Sequence, residues 1–333
     1  MPRKIQDSVV VITGASSGIG RATALEFARR GAKVVLAARR EQPLAELAAQ
    51  CIAAGGKALV VPTDVTDETA VMALARRAVE EFGRLDVWVN NAAVTAFGLF
   101  EDIPQDVFRR VIDTNLFGYV HGARAALPYF HEQGSGVLIN NASMVARLSE
   151  PYVSSYVISK HGIRGLAQSL RQELELKKAR DIHVCTVMPA TIDTPFFQHA
   201  ANYTGRSTKA MPPVYPPERV ARAMVRMAQR PRREMFVGNS ARQFNLLSYV
   251  APGLAERLMA VMVDRQHLYK DVPAAPTPGN LFQPLPEGTD AHGGWMPHGM
   301  ARVGRAALRG TLALVPAALG LLWLRPRLLA RAT

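Results

Sequence analysis

Three residues, Ser143, Tyr156 and Lys160, have the types and spacing of a proton-transfer site. A tyrosine hydroxyl has an ordinary pKa of about 10, so it is a poor acid or base at neutral pH without help. On a helix, side chains four residues apart share one face, so Tyr156 and Lys160 would lie side by side. An ammonium at about 4 Å favours a phenolate by roughly 4 kcal/mol at an effective dielectric constant of about 20, which equals about three pKa units. We therefore expect Tyr156 to act as a general acid or base near pH 7.

Tyr and Lys at this spacing also occur on ordinary solvated helix faces, so the surrounding elements decide what the pair means. Short runs rich in Val and Ile alternate with longer amphipathic stretches, which is typical of a doubly wound parallel sheet with helices on both faces. Buried parallel strands are continuously apolar, as residues 9–12 are. The sequence thus predicts a Rossmann-type α/β fold with strands near residues 8–12, 33–37, 57–61, 85–89, 136–140, 182–188 and 234–237.

A glycine-rich turn joins the first strand to the first helix. Glycines let the backbone approach a pyrophosphate, and the helix N-terminus presents free N–H groups and the positive end of its dipole to the anion. A strand before the turn and a helix after it are the context that this motif needs, whereas a tight turn without a ligand is the alternative. We predict a dinucleotide site that includes Gly14, Ser16, Ser17, Gly18, Ile19 and Gly20.

The end of the second strand would meet the adenosine ribose of that dinucleotide. An acidic residue there accepts the 2′-hydroxyl of NAD, but this chain has Ala37-Ala38-Arg39-Arg40. A planar guanidinium suits bidentate phosphate binding, so Arg39 favours the 2′-phosphate of NADP. The nearby Glu41 leaves open a solvated arginine pair and an NAD-dependent enzyme.

Composition and charge narrow the class of protein. The chain has 333 residues, of which 48% are hydrophobic and 20% charged, as in a globular protein. Its net charge of +13 is spread over helices and the C-terminal region without interleaved aromatic residues, so we expect no nucleic-acid partner. Cys51 and Cys185 indicate neither a disulfide framework nor a zinc site, and the eight histidines show no metal-ligand spacing. We therefore expect a metal-free protein of the reducing cytoplasm.

A sharp change in composition predicts the domain organisation. Residues 1–270 would form the catalytic domain, residues 271–300 a linker rich in Pro and Gly, and residues 301–333 an apolar tail flanked by arginines. The uncharged run 310–324 would make a helix of roughly 22 Å, shorter than a hydrocarbon core of about 30 Å. Membrane association through this run, packing on the protein or a partner subunit, and a disordered tail remain the alternatives.

The order of the motifs identifies a family resemblance. With the glycine turn, Asn90-Asn91-Ala92-Ala93, Ser143, Tyr156-x-x-x-Lys160 and Pro189 in sequence, residues 5–240 resemble the short-chain dehydrogenase/reductase family. The resemblance implies hydride transfer between a nicotinamide cofactor and a carbonyl or alcohol carbon. It also implies a homodimer or homotetramer built on helices near residues 104–131 and 155–178. A rival possibility is a nucleotide-binding regulator without turnover, and another is an NAD-dependent alcohol dehydrogenase of the same family.

The resemblance also assigns roles to individual residues. Tyr156 would donate a proton to the developing alkoxide, Ser143 would hydrogen-bond the same oxygen, and Lys160 would lower the tyrosine pKa. Asn115 would relay the replacement proton through a water, unless it serves only the helix backbone. Asp64 would hold the adenine, unless it caps the following helix. The implied cofactor-binding residues beyond the glycine turn and Arg39 are Asp64, Val65, Asn91, Ala92, Tyr156, Lys160, Ile192 and Thr194.

The segment after Thr194 lies where the family has a substrate lid. Its aromatic and apolar content favours a bulky hydrophobic carbonyl or alcohol substrate, although such side chains also pack under long loops. The residues concerned are Pro195-Phe196-Phe197, Tyr203 and 211–215.

Overall fold

Seven parallel strands form the central sheet of the computed structural model, which describes residues 2–296. In sheet order the strands are β7-β6-β5-β4-β1-β2-β3, numbered along the chain. All seven predicted strands are present, which confirms the predicted Rossmann-type fold. Their bounds are β1 Val9–Thr13, β2 Lys33–Ala38, β3 Lys57–Pro62, β4 Val87–Asn90, β5 Gly136–Asn141, β6 Ile182–Pro189 and β7 Glu234–Val237.

Helices cover both faces of the sheet. Val10 and Ile12 of β1 pack in one buried cluster with helices α1, α2 and α7, whereas Val9 and Val11 pack in a second cluster with α3, α5 and α6. Alternate strand residues point to opposite faces, and both faces here are apolar, which explains the continuous apolar runs. The helices are α1 Gly18–Ala28, α2 Glu41–Ala53, α3 Glu68–Phe82, α4 Gln105–Ile112, α5 Gly118–Gln133, α6 Ser154–Leu176, α7 Pro217–Gln229, α8 Asn239–Val250 and α9 Pro252–Gln266.

The sheet has its topological switch point at β1. This strand pairs with β2 on one side and with β4 on the other, so the connections leave it in opposite directions. In open α/β sheets a crevice forms at such a point, beyond the carboxyl ends of the strands. The fold thus places the glycine turn after β1 and the residues after β4 and β5 around one crevice.

A buried polar network ties β4 to β5 and α5. The Trp88 indole donates to Asn90 Oδ1 at 2.8 Å, and Asn90 Nδ2 donates to Asn140 Oδ1 at 3.0 Å and to the Tyr119 carbonyl at 3.1 Å. Gly122 lets α5 lie against this network, because a Cβ there would be 2.6 Å from the Trp88 Nε1 atom and closer still to Asn90. Such networks stabilise one arrangement only when their polar groups find partners.

The C-terminal part of the described chain folds back over the sheet. The strand Leu268–Pro273 pairs with Arg206–Thr208, and residues 274–295, here called the C-terminal strap, contain no further helix or strand. The compact unit extends to Trp295 and so includes residues 271–295 of the predicted linker. The strap forms no helix or strand whose hydrogen bonds would satisfy its backbone carbonyls. Arginine side chains of the sheet domain donate to several of these carbonyls instead.

Residues 297–333 lie outside the described part of the chain. The predicted apolar tail, 301–333, and its uncharged run, 310–324, therefore fall there. Among residues 2–296, no helix combines the length and the apolar character needed to cross a membrane.

Replacing Gly122 with Ala should lower the free energy of unfolding by about 1–3 kcal/mol, because the added methyl group overpacks the buried Trp88–Asn90 network. Gly165→Ala is the matched control. That glycine is exposed in α6 with no atom near its would-be Cβ, so alanine should stabilise the protein by about 0.5–1 kcal/mol. Denaturant unfolding of both variants measures the difference. Equal effects of the two substitutions would contradict the packing described for Gly122.

Candidate active site

A single cavity of about 250 Å³ opens at the carboxyl ends of the strands and collects most of the predicted site residues. It runs from the glycine turn to the predicted proton-transfer residues. Gly20 and Asn115 do not line it. The predicted residues that do are Gly14, Ser16, Ser17, Gly18, Ile19, Arg39, Asp64, Val65, Asn91, Ala92, Ser143, Tyr156, Lys160, Ile192 and Thr194.

The glycine turn has the geometry of a phosphate cradle. Gly14 and Gly18 have φ values of +64° and +56°, which side-chain-bearing residues rarely adopt. A Cβ on Gly14 would lie 2.6 Å from the Ala92 Cα, and one on Gly20 would collide with the Gly14 carbonyl oxygen. Gly20 therefore acts by letting α1 approach the turn closely. A dinucleotide pyrophosphate held by this turn and the N-terminus of α1 would displace the Asp290 carbonyl, which accepts from the Gly18 amide at 2.9 Å.

Two asparagines join this turn to the proton-transfer end of the cavity. Asn91 Nδ2 donates to the Thr13 and Gly14 carbonyls at 3.0 and 3.1 Å, and Asn91 Oδ1 accepts from Asn141 Nδ2 at 2.9 Å. Asn141 ends β5, two residues before Ser143. The two ends of the cavity are thus fixed relative to each other by side chains at the ends of adjacent strands.

Lys160 is buried against a main-chain carbonyl. Its Nζ donates to the Asn141 carbonyl at 3.0 Å and to the Tyr119 hydroxyl at 3.5 Å, and only 1% of the residue is exposed. The same Nζ lies 5.2 Å from the ring centroid of Tyr156, as expected for neighbours on one helix face. Burial disfavours the charged ammonium and lowers the pKa of Lys160 to about 7.

The pKa of Tyr156 is higher than the value near 7 that its spacing from Lys160 predicts. Burial raises its pKa above the ordinary tyrosine value, the hydrogen bond with Ser143 lowers it in part, and the Glu150 carboxyl raises it further. The expectation counted the attraction of Lys160 but not the loss of water around both groups, which disfavours the phenolate and the ammonium alike. In this molecule Tyr156 therefore holds its proton at neutral pH.

Ser143 is held in place by a short turn. It precedes the 3₁₀ turn Met144–Ala146, and its Oγ accepts from the Val145 amide at 3.3 Å. Its backbone is extended at this point, with φ −166° and ψ 166°, so the side chain projects from the end of β5 into the cavity. Ser143 and Tyr156 line the same cavity.

Asn115 lies in a π-helical turn, Asp113–Phe117, between α4 and α5. Its Oδ1 accepts from the Val94 amide and its Nδ2 donates to the Val94 carbonyl, both at 2.9 Å, while Nδ2 also donates to Ser159 Oγ at 3.2 Å. Because the Asn115 side chain bonds the loop at Val94, the helix widens locally into this π turn. The Asn115 side chain is thus engaged outside its own helix, and its role in a proton relay stays a prediction.

The end of the cavity that is predicted to hold adenosine contains a partly buried ion pair. Asp64 Oδ2 accepts from Arg110 Nη2 at 2.8 Å, and Asp64 Oδ1 accepts from the Thr66 amide at 3.0 Å. Burial alone would raise the pKa of Asp64, but the bonds from Thr66 and Arg110 outweigh it and lower the pKa. The cap of α3 is Asp67, which accepts from the Thr69 and Ala70 amides, so Asp64 is not the capping residue.

Arg39 lies at the predicted position but touches a segment that the sequence analysis did not foresee. Its Nη1 donates to the carbonyls of Leu281 and Phe282 at 3.1 and 3.2 Å, and its Nη2 to that of Asn280 at 2.6 Å. Arg40 Nη1 donates to the strap carbonyls of residues 285 and 287. The strap thus walls the adenosine end of the cavity.

The predicted lid contributes only some of its residues. Phe196 and Phe197 line the cavity, and the Phe196 ring lies 5.7 Å from that of Tyr156. Tyr215 instead accepts from the Asn239 amide at 3.2 Å, and Met211 packs in a buried apolar cluster. Neither residue lines the cavity, and Tyr203 does not either.

Sequence reasoning missed two side chains at the proton-transfer end. Tyr119 donates its hydroxyl to the Asn141 carbonyl at 2.8 Å and so shares the acceptor of Lys160. Its position four residues after Asn115 was an available signal. Glu150 lines the cavity, and burial raises its pKa to about 7, but an isolated Glu between motifs gave no signal. Within residues 2–296, no three His, Cys, Asp or Glu side chains lie close enough to hold a metal ion.

Comparisons with known proteins agree with this geometry. The short chain dehydrogenase family model matches residues 8–203. An uncharacterized oxidoreductase of Bacillus subtilis, YxnA, is 40% identical over 80% of this chain and 75% of its own length. The dehydrogenase/reductase SDR family member 7B of Bos taurus is 31% identical over 77% of this chain and 81% of its own length.

Solved structures show the same fold with either cofactor. A short chain dehydrogenase/reductase from Burkholderia phymatum in complex with NAD has a TM-score of 0.68 and 27% identity, covering 76% of this chain and 97% of that one. An alcohol dehydrogenase from Thermococcus sibiricus complexed with 5-hydroxy-NADP has a TM-score of 0.61 and 26% identity, covering 69% and 96%. The match to the family model and these relatives establish that the chain belongs to the short-chain dehydrogenase/reductase family and is an oxidoreductase.

Proposed function

We propose that this oxidoreductase uses NADP(H) to interconvert a carbonyl and an alcohol on a largely apolar substrate. The observation that carries the proposal is the shared cavity, in which Ser143 and Tyr156 lie at one end and the glycine cradle and Arg39 at the other. A cofactor that spans the cavity would meet both ends. When bound, it supplies or accepts the hydride.

The residues proposed to hold the cofactor follow the cavity from end to end. The turn at Gly14 and the N-terminus of α1 would hold the pyrophosphate, and Asp64 with Val65 the adenine. Arg39 would bind the 2′-phosphate, and Lys160, Ile192 and Thr194 would lie at the nicotinamide end. Among residues 2–296, Lys160 Nζ donates to the Asn141 carbonyl and the Tyr119 hydroxyl. At least one of its three N–H donors therefore has no partner there and could bind a cofactor.

Tyr156 is the proposed proton donor in the reducing direction. Because burial raises its pKa, it is protonated at neutral pH and can donate to a carbonyl oxygen. Ser143, which lines the same cavity as Tyr156, would bond the same oxygen and stabilise the charge that develops on it. Lys160, whose pKa near 7 lets it exist in both forms, would hold the developing phenolate by its charge and return a proton.

The apolar character of the substrate is proposed from the cavity wall. Side chains of Met144, Val153, Phe196 and Phe197 face this end of the cavity, which favours an apolar body next to the reacting carbon. Glu150 is a polar exception among them, and its raised pKa means that it is partly uncharged near pH 7.

Two other functions compete with this proposal. An NAD-dependent enzyme agrees with the NAD complex of the Burkholderia protein, but it leaves Arg39 and Arg40 without an anion, and neither forms an ion pair within residues 2–296. A nucleotide-binding regulator without turnover would not need Ser143, Tyr156 and Lys160 together in one cavity.

Tyr156→Phe should reduce the rate of ketone reduction by about 10²–10⁴-fold, because it removes the proton donor. The dissociation constant for NADPH should stay unchanged. Tyr152→Phe is the matched control, since its hydroxyl donates to Asp264 at 2.9 Å and does not line the cavity. A panel of apolar ketones assayed with NADPH measures both variants. Near-normal turnover by Tyr156→Phe would overturn the assignment, and activity on small polar sugars alone would overturn the substrate class.

Arg39→Ala should raise the dissociation constant for NADPH by about 10–100-fold and leave that for NADH within a small factor, because a charged hydrogen bond to a phosphate contributes about 1.5–3 kcal/mol. Arg39→Lys should recover only part of the loss, since lysine keeps the charge but not the planar fork. Titration of both cofactors into the wild type and the two variants is the measurement. Equal weakening of NADPH and NADH would contradict the NADP preference.

A further inference from the structure

We propose that Leu281 is a positioning residue for cofactor choice: it anchors the C-terminal strap, whose carbonyls hold the Arg39 guanidinium in place for the 2′-phosphate of NADP. The inference rests on the NADP dependence proposed above. It concerns a residue that touches no cofactor itself and acts through Arg39.

The anchor is the Leu281 side chain, which is fully buried, with 0% exposed. It packs with apolar side chains of α4 and of the loop after β4, namely Val94, Ala96, Ile103, Val107 and Val111. Burying a leucine side chain stabilises the folded chain through the hydrophobic effect, so this contact fixes the middle of a segment that has no helix or strand of its own. The next residue, Phe282, is 41% exposed and belongs to no buried cluster.

The anchored carbonyls engage only part of the Arg39 guanidinium. Three hydrogen bonds to the carbonyls of residues 280, 281 and 282 engage Nη1 twice and Nη2 once, and none of them uses Nε. A guanidinium has five N–H donors, so Nε and the second hydrogen of Nη2 remain, and they have no partner among residues 2–296. Nε and Nη2 share one edge of the fork, and such an edge can bind a phosphate in bidentate fashion.

The charged side chains under the strap carry a net positive charge, which favours the binding of an anion. Arg39, Arg40 and Arg110 converge on the strap, and Asp64 is paired with Arg110 at 2.8 Å. Burial lowers the pKa of Arg39 and of Arg40, and Arg110 and Arg40 lower that of Arg39 further, whereas Asp64 raises it. Two guanidiniums under the strap thus lack a carboxylate partner within residues 2–296, and a dianionic phosphate would balance them.

Holding an arginine in advance favours the ligand that uses it. A free arginine side chain loses rotamer entropy when a ligand fixes it. Because the strap carbonyls already fix Arg39, NADP binding does not bear that cost, whereas NAD gains nothing from Arg39. The strap therefore acts on the difference between the two cofactors.

The test is a set of dissociation constants for NADPH and NADH, measured by calorimetry on the full chain. Leu281→Ala should weaken NADPH binding by about tenfold and NADH binding by no more than about twofold, because Arg39 is then no longer fixed before the phosphate binds. Gln283→Ala, the control at an exposed position of the same strap whose carbonyl does not bond Arg39, should change neither. Leu281→Val, a smaller truncation, should shift NADPH in the same direction if the alanine variant does not fold.

A double substitution separates positioning from a merely structural role. In an Arg39→Ala background, Leu281→Ala should change the two cofactors by the same factor, because the residue through which it acts is gone. Equal weakening of NADPH and NADH by Leu281→Ala alone would overturn the proposal, and so would tighter NADPH binding, which would mean that the carbonyls compete with the phosphate. If the wild type prefers NADH, the NADP proposal fails, but the coupling between Leu281 and Arg39 still decides the positioning role.

Discussion

The protonation of the residues around Tyr156 depends on one constraint, the burial of the Lys160 ammonium group. A charged lysine loses its hydration on burial, and few groups replace it here: the Asn141 carbonyl at 3.0 Å, the Tyr119 hydroxyl at 3.5 Å and two aromatic ring faces. The site is therefore poised between the charged and neutral forms of Lys160. The same dry surroundings keep the proton on Tyr156.

That arrangement requires the ends of β4 and β5 to be fixed to within hydrogen-bond distances. The asparagine network supplies this, because Asn90, Asn91, Asn140 and Asn141 link the two strands to each other, to α5 and to the glycine turn. Its members are buried, so each partner that is lost leaves an unsatisfied polar group that costs about 1–3 kcal/mol. The proposed proton donor and the proposed cofactor cradle thus share one rigid framework.

The fold and most of the cavity could be predicted from the sequence because they depend on local patterns. Continuous apolar runs gave the seven strands, and the glycine turn and the Tyr156–Lys160 spacing gave the two ends of the cavity. The strap could not be predicted, since its residue Leu281 and its partner Arg39 are far apart in the sequence and its proline and glycine content is that of a linker. The raised pKa of Tyr156 was missed because burial, unlike spacing, is a property of the three-dimensional structure.

The most direct test of the account is the pH dependence of stability in the wild type and in Lys160→Met. Because the folded-state pKa of Lys160 is lowered to about 7 while that of the unfolded chain is about 10.4, the unfolded state binds more protons between these values. Burying Lys160 should therefore cost stability in full below pH 7, and the cost should fade as the pH rises toward 10. The account predicts that Lys160→Met is more stable than the wild type at pH 7 and that this advantage shrinks by pH 9.5 in denaturant unfolding. A difference that does not change with pH would contradict it.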